Sequence, residues 1–124
     1  MKSNHLFAIP ARFSIGVTGE LIRLDNFCTV RTRYARHCRD IKTTADLLCT
    51  LRAGAYAWPG GYSIFFVTAD GAALSFNSVC ENLRQICAAI RENDSHSGWR
   101  VVATQTTAET DEPIFCDHSG AEIV

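Results

Sequence analysis

The chain has 124 residues, enough for one domain with a single hydrophobic core. A hydrophobic content of 47% and a charged content of 20% are the values of an ordinary globular domain, and no apolar run approaches membrane-spanning length, so a membrane partner is not expected. The formal net charge of −1 hides a split: residues 1–52 hold nine Lys/Arg against four Asp/Glu, and residues 53–124 hold three against nine. Such a split points either to two binding faces or to a fold whose halves pair electrostatically.

Met1 to Phe13 lacks an uninterrupted apolar core and carries Pro10 and Arg12, so no signal peptide is expected. Without secretion, the six cysteines are expected to be reduced thiols in a cytosol, and no Cys-x-x-Cys pair occurs.

In chain order, Arg12 to Val17 alternates Phe13, Ile15 and Val17 with smaller or polar residues and predicts a strand. Thr18-Gly19 turns it into a segment from Glu20 to about Leu24, and Asn26 to Tyr34 alternates again. Residues 1–42 thus read as a basic, β-rich part. Arg36 to Lys42 is a charged connector. Thr44 is placed as an N-cap with Asp46 favourable to the helix dipole, and Leu47, Leu48 and Leu51 form an apolar stripe ending at Gly54, which predicts a helix over about 44–53.

Tyr62 to Thr68 is dense in aromatic and β-branched residues and predicts a strand, entered through Pro59-Gly60-Gly61. Asp70-Gly71 is a two-residue hairpin signal. With Ala69 opposite Ala72, Val67 would face Leu74 and Phe65 would face Phe76; Ile64 and Phe66 would point the other way, so both faces are expected to be covered. Ser78 and Glu81 suggest a capping box for a helix over about 79–93, with Val79, Leu83, Ile86, Cys87 and Ile90 on one face. Trp99 to Thr104 reads as a strand with Trp99 in the core, Thr106 to Pro113 as an acidic loop, and Ile114 to Cys116 as a short strand entering a turn at Asp117-His118-Ser119-Gly120. Ala121 to Val124 is a last strand or a frayed end. The sum is a single α+β domain with a mainly antiparallel sheet and two helices.

Leu51-Arg52-Ala53-Gly54, Trp58-Pro59-Gly60-Gly61-Tyr62, Val67-Thr68-Ala69-Asp70-Gly71, Ala73-Leu74-Ser75-Phe76, Glu81-Asn82, Gly98-Trp99-Arg100-Val101-Val102, Cys116-Asp117-His118 and Gly120 together resemble an uncharacterised family of small proteins of phages, prophages and plasmids. The resemblance lies within residues 43–124. Similar members carry an Asn-Trp-Glu-Asp-like segment where this chain has Thr106 to Pro113. The resemblance implies a mobile-element origin and a bacterial cytoplasm, and no reaction.

Four constellations bear on function. Cys116-Asp117-His118-Ser119-Gly120 is similar in outline to a zinc knuckle; Cys38, His37 or His96 would have to complete the site, and a tight turn after a strand is the competing reading. Arg31, Arg33, Tyr34, Arg36, His37 and Arg39 interleave cations with an aromatic, a pattern suited to phosphate contact and base stacking or to a charged edge strand. Glu109, Asp111 and Glu112, with Asp94 and Asp117, could imitate a phosphate backbone or form a solvated loop. Cys116 beside His118, and Cys38 beside His37, are thiol–imidazole neighbours without an orienting motif. No catalytic residue, metal ligand or cofactor is assigned. The expected role is that of a non-enzymatic phage protein acting by stoichiometric binding to a host protein or protein complex. A host-defence system such as CRISPR–Cas is the expected target, with Tyr34, Tyr56 and Trp58 as aromatic anchors. The alternative is a nucleic-acid-binding accessory protein using the Arg31–Arg39 run.

Overall fold

The structure, a computed structural model, describes residues 11–57, 60–94 and 96–124. It opens with an antiparallel meander of β1 (Phe13–Ile15), β2 (Leu21–Arg23) and β3 (Thr29–Arg31). There follow α1 (Thr44–Ala53), β4 (Tyr56–Ala57), β5 (Tyr62–Thr68), β6 (Ala73–Ser75), α2 (Phe76–Glu81), α3 (Leu83–Glu92), β7 (Val101–Thr106), β8 (Ile114–Phe115) and β9 (Glu122–Ile123). The class is the expected α+β with antiparallel pairing. β5 is the hub and pairs antiparallel with β4, β6 and β7.

Three consecutive residues of β5 (Ile64, Phe65 and Phe66) are buried, so both faces of this strand are covered. Phe66, Leu47, Leu51, Val79, Ile86 and Val101 form the centre of one core that joins the sheet to all three helices. Complete burial of a side chain such as Phe66 contributes roughly 2–3 kcal/mol. Coil segments pair with β6 and β7, the strands on either side of β5. Ile41 N–H donates to Val102 O at 2.9 Å and Thr104 N–H to Arg39 O at 2.9 Å along β7, while Asp117 N–H donates to Ala73 O at 2.8 Å along β6. Such cover removes open ladder groups that would template aggregation.

The β5–β6 hairpin departs from the expected register by one residue. Phe66 lies opposite Leu74 and Val67 opposite Ala73, so the loop has three residues, 69–71, rather than two. Gly71 alone in it has a positive φ, at 89°, the geometry of a turn closed by a left-handed glycine. Side chains select this loop: Ala72 N–H donates to Thr68 Oγ1 at 3.0 Å, and the Thr68 hydroxyl donates to the Asp70 carboxylate. A slip of one residue exchanges the faces, which places Leu74 with Phe66 instead of with Val67 and Phe65.

The helix expected over 79–93 begins earlier and is broken. Ser75, not Ser78, is the N-cap, accepting from Ser78 N–H at 3.2 Å. Ser78 is buried inside α2 and its hydroxyl meets the Cys116 sulfur at 3.2 Å. The break falls at Asn82, the C-cap of α2 with φ −117° and ψ 30°, whose side-chain amide at 2.9 Å and backbone N–H at 3.1 Å both donate to Ser78 O. α3 ends at Asn93 in the left-handed conformation, φ 55°. α1 matches its expected span, but its N-cap is Thr43, which forms a capping box with Asp46.

The strand expected over 26–34 shortens to Thr29–Arg31, because the chain beyond it runs along α1: Arg36 N–H donates to Cys49 O and Cys38 N–H to Thr50 Oγ1, both at 3.0 Å. The meander is hydrogen-bonded to this segment at Gly19. Gly19 O accepts from Tyr34 N–H at 3.0 Å and from Ala35 N–H at 2.9 Å. Gly19 has φ +84°, and a Cβ there would overlap the Ala35 carbonyl oxygen and lie 3.1 Å from its carbon. Only glycine fits both the conformation and the approach.

Candidate functional site

The arginine run does not form one continuous patch, because tertiary partners take some of its members. Arg33 donates to Asp46 Oδ1 at 3.3 Å and to Cys38 Sγ at 3.1 Å, and Arg39 is ion-paired with Glu109. His37 Nε2 bonds Gly54 O at 2.8 Å. Arg31, Arg36 and Tyr34 remain, joined by Arg52 from the last turn of α1. The Arg52 guanidinium lies 4.4 Å from the Tyr34 ring centroid and that of Arg31 lies 5.5 Å from it, while Arg52 also donates to Tyr34 O at 3.2 Å. This geometry holds two cations against one partly buried aromatic.

Beside it opens a cleft of about 730 Å³ between the β1–β2 turn, residues 35–37 and the end of α1, lined among others by Gly16, Gly19, Arg36, His37, Arg52 and Tyr56. Tyr56 is 62% exposed. Trp58, the third expected anchor, lies outside the described residues. A second cleft, of about 440 Å³, is lined by Val30, Arg31, Thr32, Arg33, Ala45 and Cys49.

The meander adds exposed apolar residues that were not among the expected partner contacts. Val17, Leu24, Phe27 and Val30 are all exposed, Phe27 at 77%. Phe27 also has φ +57°, in a turn where Asn26 Oδ1 accepts from Cys28 N–H at 3.0 Å. A bulky side chain in the left-handed region is unusual and marks a strained, outward-facing aromatic. An aromatic next to Asn in a turn was the available signal. Arg52 was missed because its basic partners are close in space but not in sequence.

The acidic segment is only partly available. Thr106 and Glu109 form a capping box on a 3-10 turn, and the Thr106 amide, Arg39 and the Thr106 hydroxyl hold the Glu109 carboxyl below the usual range against a small opposing effect of burial. Asp111 and Glu112 are exposed, and among the described residues neither forms an ion pair. Arg39–Glu109 is the one ion pair among the described residues that joins the basic and acidic halves.

The two thiol–imidazole neighbours do not meet. The His118 ring packs against Trp99 in a tilted arrangement, centroids 5.5 Å apart, and the Cys116 sulfur accepts from Ser75 N–H at 3.3 Å and faces the Ser78 hydroxyl. Burial pushes the Cys116 thiol up, but donors from Ser119, Ser78 and Ser75 outweigh it and bring the thiol down to about 6. Cys116 as a residue is 1% exposed. Ser75 and Ser78 as its partners were not legible in sequence, since they lie about forty positions away. Among the described residues no group of three His, Cys, Asp or Glu side chains could hold a metal ion, and no helix is long and apolar enough to cross a membrane. No protein-family model, curated protein or solved structure matches the chain.

Proposed function

We propose that the protein is a mobile-element product of the bacterial cytoplasm that acts by stoichiometric binding to a host protein or protein complex and performs no chemistry itself. Its target in this reading is a host-defence system such as CRISPR–Cas. One observation carries the binding mode: folding leaves the charge split standing, with a single cross-half ion pair among the described residues. The basic side bears Arg31, Arg36 and Arg52 around Tyr34, with Tyr56 and the exposed meander residues nearby, a composition suited to an interface core ringed by charge. The sequence resemblance to small phage and plasmid proteins supports the origin and the choice of target.

The test is expression of the protein in a bacterial host whose CRISPR–Cas system restricts a phage. Plaquing is expected to recover, and the complex is expected to co-purify at a fixed ratio after nuclease treatment. Arg36→Glu with Tyr56→Ala should weaken binding roughly tenfold or more, the size of a hot-spot loss. Unchanged restriction and no nuclease-resistant complex, across several defence types, would refute the reading.

A second reading has its own observation. Two guanidinium groups against Tyr34, and an exposed Tyr56 in an arginine-lined cleft, are also the elements of a single-strand platform. In that reading the protein is a nucleic-acid-binding accessory factor, and a salt-sensitive gel shift lost in Arg31→Ala or Arg52→Ala is expected.

A further inference from the structure

Residues 36–38 and the middle of α1 are laced together. Arg36 N–H donates to Cys49 O and Cys38 N–H to the Thr50 hydroxyl, which sets Cys38 alongside Cys49 although eleven positions separate them. Arg33 reaches the first of the two, donating to Cys38 Sγ at 3.1 Å. Burial, then the neighbouring Cys38 thiol, raise the pKa of Cys49, whose side chain is 2% exposed but lines the 440 Å³ cleft. Cys38 is partly exposed. The pair thus has an accessible member and a sheltered one that opens onto a cleft beside it, the arrangement of an attacking thiol with a resolving thiol.

We propose that Cys38 and Cys49 form a redox-active dithiol that closes to a disulfide when the cell meets an oxidising low-molecular-weight disulfide. The Cys38 thiol, as its thiolate, attacks one sulfur of the reagent; a mixed disulfide forms and one reagent thiolate leaves and takes up a proton. The Cys49 thiolate then attacks the Cys38 sulfur, the second reagent thiolate leaves and is protonated, and the protein has lost two electrons and two protons. The reagent is reduced to two thiols, so the step balances without another co-reactant. Closure staples the 36–38 segment to α1 where Arg33 contacts Cys38 and Arg36 N–H bonds Cys49 O. It therefore fixes the seam on which the meander is docked.

The test treats the reduced full-length protein with oxidised glutathione, quenches with an alkylating agent, and maps cross-linked peptides by mass spectrometry. The expected product in the wild type is an intramolecular link between Cys38 and Cys49. Cys28, which is exposed, takes up a separate glutathione adduct that peptide mapping distinguishes. Cys49→Ser should stop at the mixed disulfide on Cys38, and Cys38→Ser should leave Cys49 reduced over the same time. A wild-type protein in which Cys38 and Cys49 both remain alkylatable, or in which either links to another cysteine instead, overturns the proposal. The wild-type map decides the matter even where a serine variant fails to fold.

Discussion

Replacing Gly19 by alanine should release the meander from the rest of the molecule while leaving the core intact. An L-residue held at φ +84° costs about 1–2 kcal/mol. The added Cβ also overlaps the Ala35 carbonyl, so backbone must move apart at the point where Gly19 O accepts from Tyr34 and Ala35. Loss of those two hydrogen bonds costs about 1 kcal/mol each. Together the local destabilisation is about 3–4 kcal/mol, which corresponds to faster opening on the order of a hundredfold or more. Native-state hydrogen exchange followed by NMR reads this directly. The Tyr34 and Ala35 amides should exchange faster by on the order of a hundredfold or more, whereas amides of β5 and α1, held by the core, should change little. If Tyr34 and Ala35 keep their protection within about twofold, the glycine contact is not what docks the meander, and the account of the seam is wrong.

Three further outcomes follow from the same structure. Phe27→Asn should stabilise the protein by about 0.5–1 kcal/mol in urea unfolding, because Asn tolerates the left-handed conformation and Phe27 buries little; equal or lower stability would count against strain at that turn. Asp46→Asn should cost about 1 kcal/mol at neutral pH by weakening the α1 capping box. Burial acts to raise the Asp46 pKa, but the Lys42 and Thr43 amides and Arg33 lower it further. The carboxylate therefore stabilises the fold above its unfolded pKa, that contribution fades as pH falls through the folded value, and the variant should lack this acid-range dependence. For Cys116, a folded pKa of about 6 against an ordinary thiol near 9.0 means that its ionisation adds stability as pH rises through that window and adds none below it. Thiolate absorbance and unfolding midpoints of the wild type, compared with Cys116→Ser, should show the rise in the wild type alone; parallel pH profiles would refute an ionised Cys116.

Local signals carried much of the architecture. The span of α1 follows from a capping threonine, a leucine stripe and Gly54, and β5 follows from its run of aromatic and β-branched residues; these elements form because short-range patterns already suit them. The separation of basic from acidic halves was likewise written in the chain. Tertiary structure decided what local patterns leave degenerate. The β5–β6 register moved by one because the Thr68 and Asp70 side chains close a three-residue loop. The start of α2 and the break at Asn82 depend on how Ser75, Ser78 and Asn82 spend their hydrogen bonds, with Ser78 turned to a cysteine thirty-eight positions away. The arginines show the same division most clearly. Their number was visible, but Arg33 is tied to a carboxylate thirteen positions on and Arg39 to one seventy positions on, while Arg52 arrives beside Tyr34 from another element. Which cations remain for a partner is set by long-range pairing, and a one-dimensional pattern does not encode which distant groups meet.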